Sequence, residues 1–414
     1  MQPGHEHQLH RKVTTMKISK ALPLAAIASL SLVLAACGGA STGATGSGGI
    51  QVPDIPSATE VGESEGQVNI IAWAGFVEDG STNPDADWVT AFEQETSCKV
   101  NRKVGATSDE MVQLMRGGEY DLVSASGDAS LRLIAGGDVA PVNTDLIPNF
   151  GHIVDGLKGQ IYDTLNGKSY GVPIGRGANV LMYNTDKVKT APTSWADTWA
   201  ADSPYKGSIM AYDSPIFIAD AAVYLMATAP ELGITNPYAL DKDQLAAAVD
   251  LLKTQNGVVG EYWNDALKAV SSISSGTSAL GTGWQVVVNL AQGDGGKVES
   301  VLPKEGATGW SDTWMISSKS KNPNCAYKWM DWASSAEVNA KIAQNFGMAP
   351  ANKLACEGTK ENEAHCETFH ATDEDYYKQV WMWTTPVEQC IDGRTDATCT
   401  NYQEWTKAWT EVKG

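Results

Sequence analysis

From Val68 onward the chain switches between short apolar runs and stretches with apolar positions three and four apart, and this alternation predicts a succession of strands and helices. Residues 68–73 read as a buried strand, a helix follows Asp85 and Asp87 through Gln94, and residues 100–104 read as a second strand. The next helix opens at the capping box Thr107-x-x-Glu110 and stops at Gly117-Gly118, and residues 120–124 form another short strand. Such a rhythm builds an α/β sheet whose ligand crevice lies beyond the carboxyl ends of its strands. A second set follows. Residues 207–211 read as strand, 215–229 and 242–253 as apolar-faced helices, and 279–284 as a strand running into a helical stretch that ends at Gln292. Two lobes are therefore expected, and no internal repeat is found.

The beginning of the chain has a different pattern. Met16-Lys17-Ile18-Ser19-Lys20 is a short positive segment, and residues 21–36 are apolar and uncharged, too short to span a bilayer as a helix. Residues 1–36 read as leader and export signal, with Met1–Thr15 lying upstream of a start at Met16. The run ends in Leu34-Ala35-Ala36-Cys37-Gly38, which resembles the lipobox of bacterial lipoproteins. That resemblance implies cleavage before Cys37 and attachment of lipid to its sulfur, holding the protein on the outer face of the cytoplasmic membrane. The other reading is an ordinary signal peptide whose cysteine follows by accident. Residues 37–66, rich in Gly, Ser and Thr, are expected to form a flexible tether.

Charge and cysteine content narrow the function. The 414 residues carry 30 Lys plus Arg against 49 Asp plus Glu, a net charge of −19, with no basic face of the kind nucleic acid requires. Apart from Cys37, six cysteines remain: Cys98, Cys325, Cys356, Cys366, Cys390 and Cys399. In an exported chain they read as three disulfides. Cys356 with Cys366 and Cys390 with Cys399 would close short loops, leaving Cys98 with Cys325 by exclusion, although six cysteines allow fifteen pairings. Zinc is the competing use, but there is no C-x2-C spacing, and no metal or other cofactor is expected. No H-E-x-x-H, G-x-S-x-G or Walker loop is present, and Gly281-x-Gly283 lacks the third glycine of a dinucleotide fingerprint. Asn83-x-Asp85-x-Asp87 begins like a calcium loop, but Trp88 and Gln94 stand where that loop needs glycine and glutamate. No enzymatic activity is expected.

Tryptophan is unusually common, 14 residues against 6 phenylalanines, and much of it lies beside glycine and acid. The segments Ile71-Ala-Trp73-Ala-Gly-Phe76, Thr193-Ser-Trp195-Ala-Asp-Thr-Trp199 with Tyr205-Lys-Gly-Ser208, Leu280-Gly-Thr-Gly-Trp284, residues 301–306 leading to Gly309-Trp310-Ser-Asp312, and Asn322-Pro-Asn-Cys-Ala-Tyr-Lys-Trp329 occur in that order. Together they resemble the spermidine/putrescine-type solute-binding proteins of ABC importers, from about Val68 to the C-terminus. The resemblance implies a type II periplasmic-binding-protein-like clamshell, two α/β lobes joined by hinge-crossing segments and closing over a ligand. Lobe 1 would comprise residues 67–177 plus 310–356, and lobe 2 residues 178–309 plus 357–414. The implied partners are a small amine and an ABC permease in the membrane, with the protein acting as a monomer.

Position by position, the resemblance puts Trp73 and Phe76 at an aromatic pair after the first strand, Trp284 and Trp310 at cleft tryptophans, and Asp213 and Asp312 where carboxylates receive ammonium groups. Indole faces cover methylenes and attract cations, and a buried ammonium needs a carboxylate partner. Trp195, Trp199, Trp405 and Trp409 read instead as packing residues, the last two at i and i+4 of a terminal helix. The departures bear on the ligand. Ile216 stands where polyamine binders carry a glutamate, Gly75 at another acidic or polar place, and Met348 at the place of a tyrosine. Arg176, in Pro173-Ile-Gly-Arg-Gly177, stands at the crossing segment, where a guanidinium would repel a cation and welcome a carboxylate. The expectation is thus a polyamine or related small amine, with a zwitterionic ω-amino acid held by Arg176 as the alternative. From other classes the rivals are an exported hydrolase using paired carboxylates, or a purely structural surface lipoprotein.

Overall fold

The structure, a computed structural model, describes residues 50–414. The leader and signal expected over 1–36, Cys37 with its lipid, and residues 37–49 of the tether lie outside the described residues. Residues 50–66 were expected to continue that tether and do not. Ile50 and Val52 are buried in a cluster with Ile71, Val123, Leu131 and Ile134. Further on, Asn143 donates to the carbonyl of Ala58 and Gly62 N donates to Asn324. The carboxylate of Glu65 accepts from the amides of Asn324 and Cys325. These are the first turn of helix Pro323–Ser334, where intrahelical acceptors are missing and an anion is favoured by the helix dipole.

The predicted alternation is present. In the main sheet the order is Lys99–Val104, Gln67–Ala72, Leu122–Ser126, Ala307–Ile316, Val172–Asn184, Leu280–Trp284, Ile209–Tyr212 and Val259–Trp263. The first three strands are parallel, as are the last three, and the two in the middle run antiparallel to their neighbours. Both middle strands are long. Val172–Asn184 pairs with Ala307–Ile316 through Ala178 and with Leu280–Trp284 from Asn179 onward, so the sheet changes partners halfway along one continuous strand. Ala307–Ile316 does the converse, pairing with Val380–Met382 through Gly309 and with Leu122–Ser126 from Asp312.

The helices form where local chemistry favours them. Thr107 caps helix Ser108–Gly117 by accepting from Glu110 N at 3.1 Å, and Gly118 ends it in the left-handed conformation. Asp241 and Gln244 form a full capping box on helix Lys242–Asn256. The terminal helix Tyr402–Lys413 docks through buried Trp405 and Trp409, and Trp195 and Trp199 are buried packing residues. All three expected disulfides are formed: Cys98–Cys325, Cys356–Cys366 and Cys390–Cys399. Among the described residues no helix is long and apolar enough to cross a membrane.

Candidate functional site

Residues alternate in face along a strand, so Thr308, Trp310 and Asp312 project from one face of Ala307–Ile316. In register with them across the next strand are Gly177, opposite Trp310, and Gly175, opposite Asp312. A side chain at 177 would run into the indole of Trp310, so glycine there gives the ring its place. Asp312 is buried and its one hydrogen-bond donor among the described residues is the hydroxyl of Ser126, where strand Leu122–Ser126 turns into helix Gly127–Ala135. Burial pushes the Asp312 carboxyl up to about 7, and the nearby Asp128 carboxylate adds to the shift. Trp73 holds its indole N–H close to Asp312, which draws the carboxyl back slightly, but the group is buried and makes no aligned hydrogen bond.

Around this carboxylate stands a wall of rings. Trp284 ends strand Leu280–Trp284 and lies 6.3 Å from Trp310, nearly edge-on. Tyr212, at the end of strand Ile209–Tyr212, meets Trp284 at 5.6 Å and stacks on Trp383 at 5.7 Å with 15° between planes. Burial, and then the carboxylates of Asp128, Asp213, Asp312 and Asp220, hold the Tyr212 phenol well above its ordinary range. Asp128, two residues past Ser126, is buried, accepts from Ser108 Oγ at 3.0 Å, and is pushed up by burial to about 6 with Arg132 offsetting part of the shift. Gly127 admits no side chain, because the carbonyl of Trp383 occupies the space. The result is an acidic, ring-lined centre where strands Val172–Asn184 and Ala307–Ile316 change partners, chemistry that suits a cation.

The expected residues do not all meet there. Trp73, Trp284, Trp310 and Asp312 do. Phe76 is fully buried behind them, edge-on to Phe346 at 4.5 Å and Trp314 at 6.1 Å, and supports the wall from the core. Asp213 is already paired: Lys413 Nζ donates to Oδ2 at 3.0 Å and Trp409 Nε1 to Oδ1 at 3.1 Å, while the Lys413 ammonium sits 3.6 Å over the Tyr262 ring. Arg176 departs furthest from expectation. Its register partners are Ser311 and Ala349, on the face opposite to Trp310 and Asp312. There it donates to Glu374 at 2.6 Å and to the carbonyl of Ala371, stacks at 3.6 Å over Tyr377, and is only 2% exposed. Sequence reading missed Ser126, Asp128, Tyr212 and Trp383. A Gly-Asp pair where a strand ends and a helix begins was the available signal for the first two.

The α/β body has the two-lobe, periplasmic-binding-protein-like fold, and solved structures of that fold superpose on it. The spermidine/putrescine ABC transporter substrate-binding protein PotD of Streptococcus pneumoniae matches with a TM-score of 0.65 at 19% identity, covering 84% of this chain and 97% of that one. The Atu4243-GABA receptor matches with a TM-score of 0.62 at 18% identity, covering 84% of this chain and 98% of that one. The chain belongs to the family of bacterial extracellular solute-binding proteins, whose profile matches residues 87–365. Among curated relatives, the spermidine/putrescine-binding periplasmic protein of Escherichia coli K12 is 25% identical over 295 residues, 70% of this chain and 81% of the relative. The putrescine/agmatine-binding protein of Pseudomonas aeruginosa is 24% identical over 279 residues, 64% and 74%. This is a family of binding proteins for transport and not a class of enzyme.

Proposed function

We propose that the protein is the substrate-binding component of an ABC importer and captures a polyamine or related small amine between two lobes. The single observation that carries the reading is Asp312: a carboxylate at 2% exposure with one hydroxyl donor, set among the indoles of Trp73 and Trp310. A buried carboxylate so sparsely served is stabilised by an incoming ammonium, and the rings cover its methylenes. The polyamine-binding relatives support the same chemistry. Lobe 1 is residues 67–177 plus 310–356 and lobe 2 residues 178–309 plus 357–414, a division supported by the change of strand partners at Ala178/Asn179 and at Gly309. Lipid at Cys37 would keep the protein beside its permease on the outer face of the cytoplasmic membrane, as a monomer.

A ligand with a carboxylate, the ω-amino acid reading, has in its favour the structural likeness to the Atu4243-GABA receptor. Against it stands the engagement of Arg176 by Glu374 and Tyr377. A thermal-shift panel of putrescine, spermidine, quaternary amines and ω-amino acids decides between them, since ligand at 100 times its Kd adds about 2.7 kcal/mol. Stabilisation by the ω-amino acids and by none of the amines would overturn the amine reading.

A further inference from the structure

Helix Ile218–Thr228 places a second buried carboxylate on the Trp310 face. Asp220 is 6% exposed. Thr308 Oγ1 donates to its Oδ2 at 2.9 Å, whereas Oδ1 is buried and makes no aligned hydrogen bond among the described residues, the nearby Asn179 amide only drawing the carboxyl down a little. Thr308 in turn accepts from Asn179 Nδ2 at 2.6 Å, and Asn179 Oδ1 accepts from the indole N–H of Trp284 at 3.0 Å. A chain of three hydrogen bonds thus runs from the ring wall to Asp220, with every donor pointing toward the carboxylate. Asp220 also acts on the Tyr212 phenol, whose ring touches both Trp284 and Trp383, so the carboxylate lies within electrostatic reach of the site. Thr308 and Asp312 are four residues apart on one strand face, roughly 13 Å at about 3.3 Å per residue, with Trp310 midway.

We infer that Asp220 is the counter-charge for a second ammonium of the ligand. One end of a linear diamine or triamine pairs with Asp312, the methylenes cross Trp310, and the other end meets the Asp220 oxygen that lacks an aligned donor. This rests on the amine reading above and sharpens it. Ile216, where the resemblance calls for an acid, lies four residues before Asp220, one helical turn away.

Calorimetry with butylamine, putrescine and spermidine tests this on the wild-type chain, on Asp220→Asn and on Thr308→Val, which breaks the chain to Trp284 but keeps the carboxylate. The wild type should bind putrescine about 30-fold or more tighter than butylamine, as expected for a second buried charge pair. Asp220→Asn should erase that margin and leave butylamine within about threefold, and Thr308→Val should keep the margin. Butylamine binding as tightly as putrescine in the wild type overturns the inference without any variant, and leaves the amine reading standing. Equal losses in Asp220→Asn and Thr308→Val also overturn it, because Asp220 would then act only by positioning Trp284. A wild type that binds none of the three amines sinks the proposed function and this inference together.

Discussion

Asp312 and Asp213 carry the same side chain and the same expected role, and they sit in opposite electrostatic circumstances. Asp312 is buried with a hydroxyl for company, and its carboxyl is pushed up to about 7 by burial. Asp213 is about a third exposed and holds Lys413 in an ion pair, with Tyr262 beneath the ammonium. One carboxylate is short of a cation, and the other has the chain's own. A motif position that once marks an ammonium receiver therefore does not remain one when a lysine elsewhere in the chain reaches it.

The largest expected effect that can break this contrast is on ligand affinity. Asp312→Asn should cost about 2–5 kcal/mol of amine binding, because it removes the partner of a buried ammonium. Asp213→Asn, measured beside it by calorimetry, should cost less than about 1 kcal/mol. Equal losses would return Asp213 to the site. Next comes the indole two residues before Asp312: Trp310→Leu should weaken amine binding by about 1–2 kcal/mol through lost cation–π attraction and cover.

A pH series sharpens the contrast further. Native Asp312 keeps its proton up to about 7, while the unfolded residue releases it near the ordinary carboxylate value. Between those limits the native state binds more protons, so the ligand-free protein should lose stability as pH rises from about 4 to 7. Burial raises Asp220 to about 7 as well, in the same sense. Amine affinity should run the other way and strengthen through that window, since the ligand needs the ionised carboxylate. Thermal melts with and without putrescine from pH 5 to 8 check both slopes, and parallel slopes would remove Asp312 from the site. The smallest effect belongs to Lys413→Met, which should lower stability by about 0.5–1 kcal/mol and leave amine affinity unchanged. Tighter amine binding in that variant would mean that the lysine had been competing with the ligand.

Much of the fold could be read from the alternation of periods, because strands and helices bury different faces and the capping residues mark where helices begin. The helix after Thr107 and the strand ending at Trp284 fall where the pattern places them. The three cysteine pairs followed from counting and loop length. What could not be read was which way a strand residue points. Arg176 and Gly177 are adjacent in a segment without clear apolar alternation, and only the register with Ser311 and Trp310 assigns them to opposite faces. Lys413 was half legible: it continues the spacing of Trp405 and Trp409 by four, on the stripe that docks the terminal helix, but its partner lies 200 residues away. Asp220 was hidden inside the apolar stretch 218–223, where the pattern marks only a packed helix face.

Composition misled over residues 50–66, and the way they are fastened has a practical consequence. Someone trimming the gene to obtain a well-behaved domain would be tempted to start at Gln67, where the first strand begins. That cut would strip Ile50 and Val52 from an apolar cluster and take Glu65 away from the first-turn amides of Asn324 and Cys325. A shortened product should begin no later than Ile50, or it will carry a raw hydrophobic spot and an untied helix start into every binding assay.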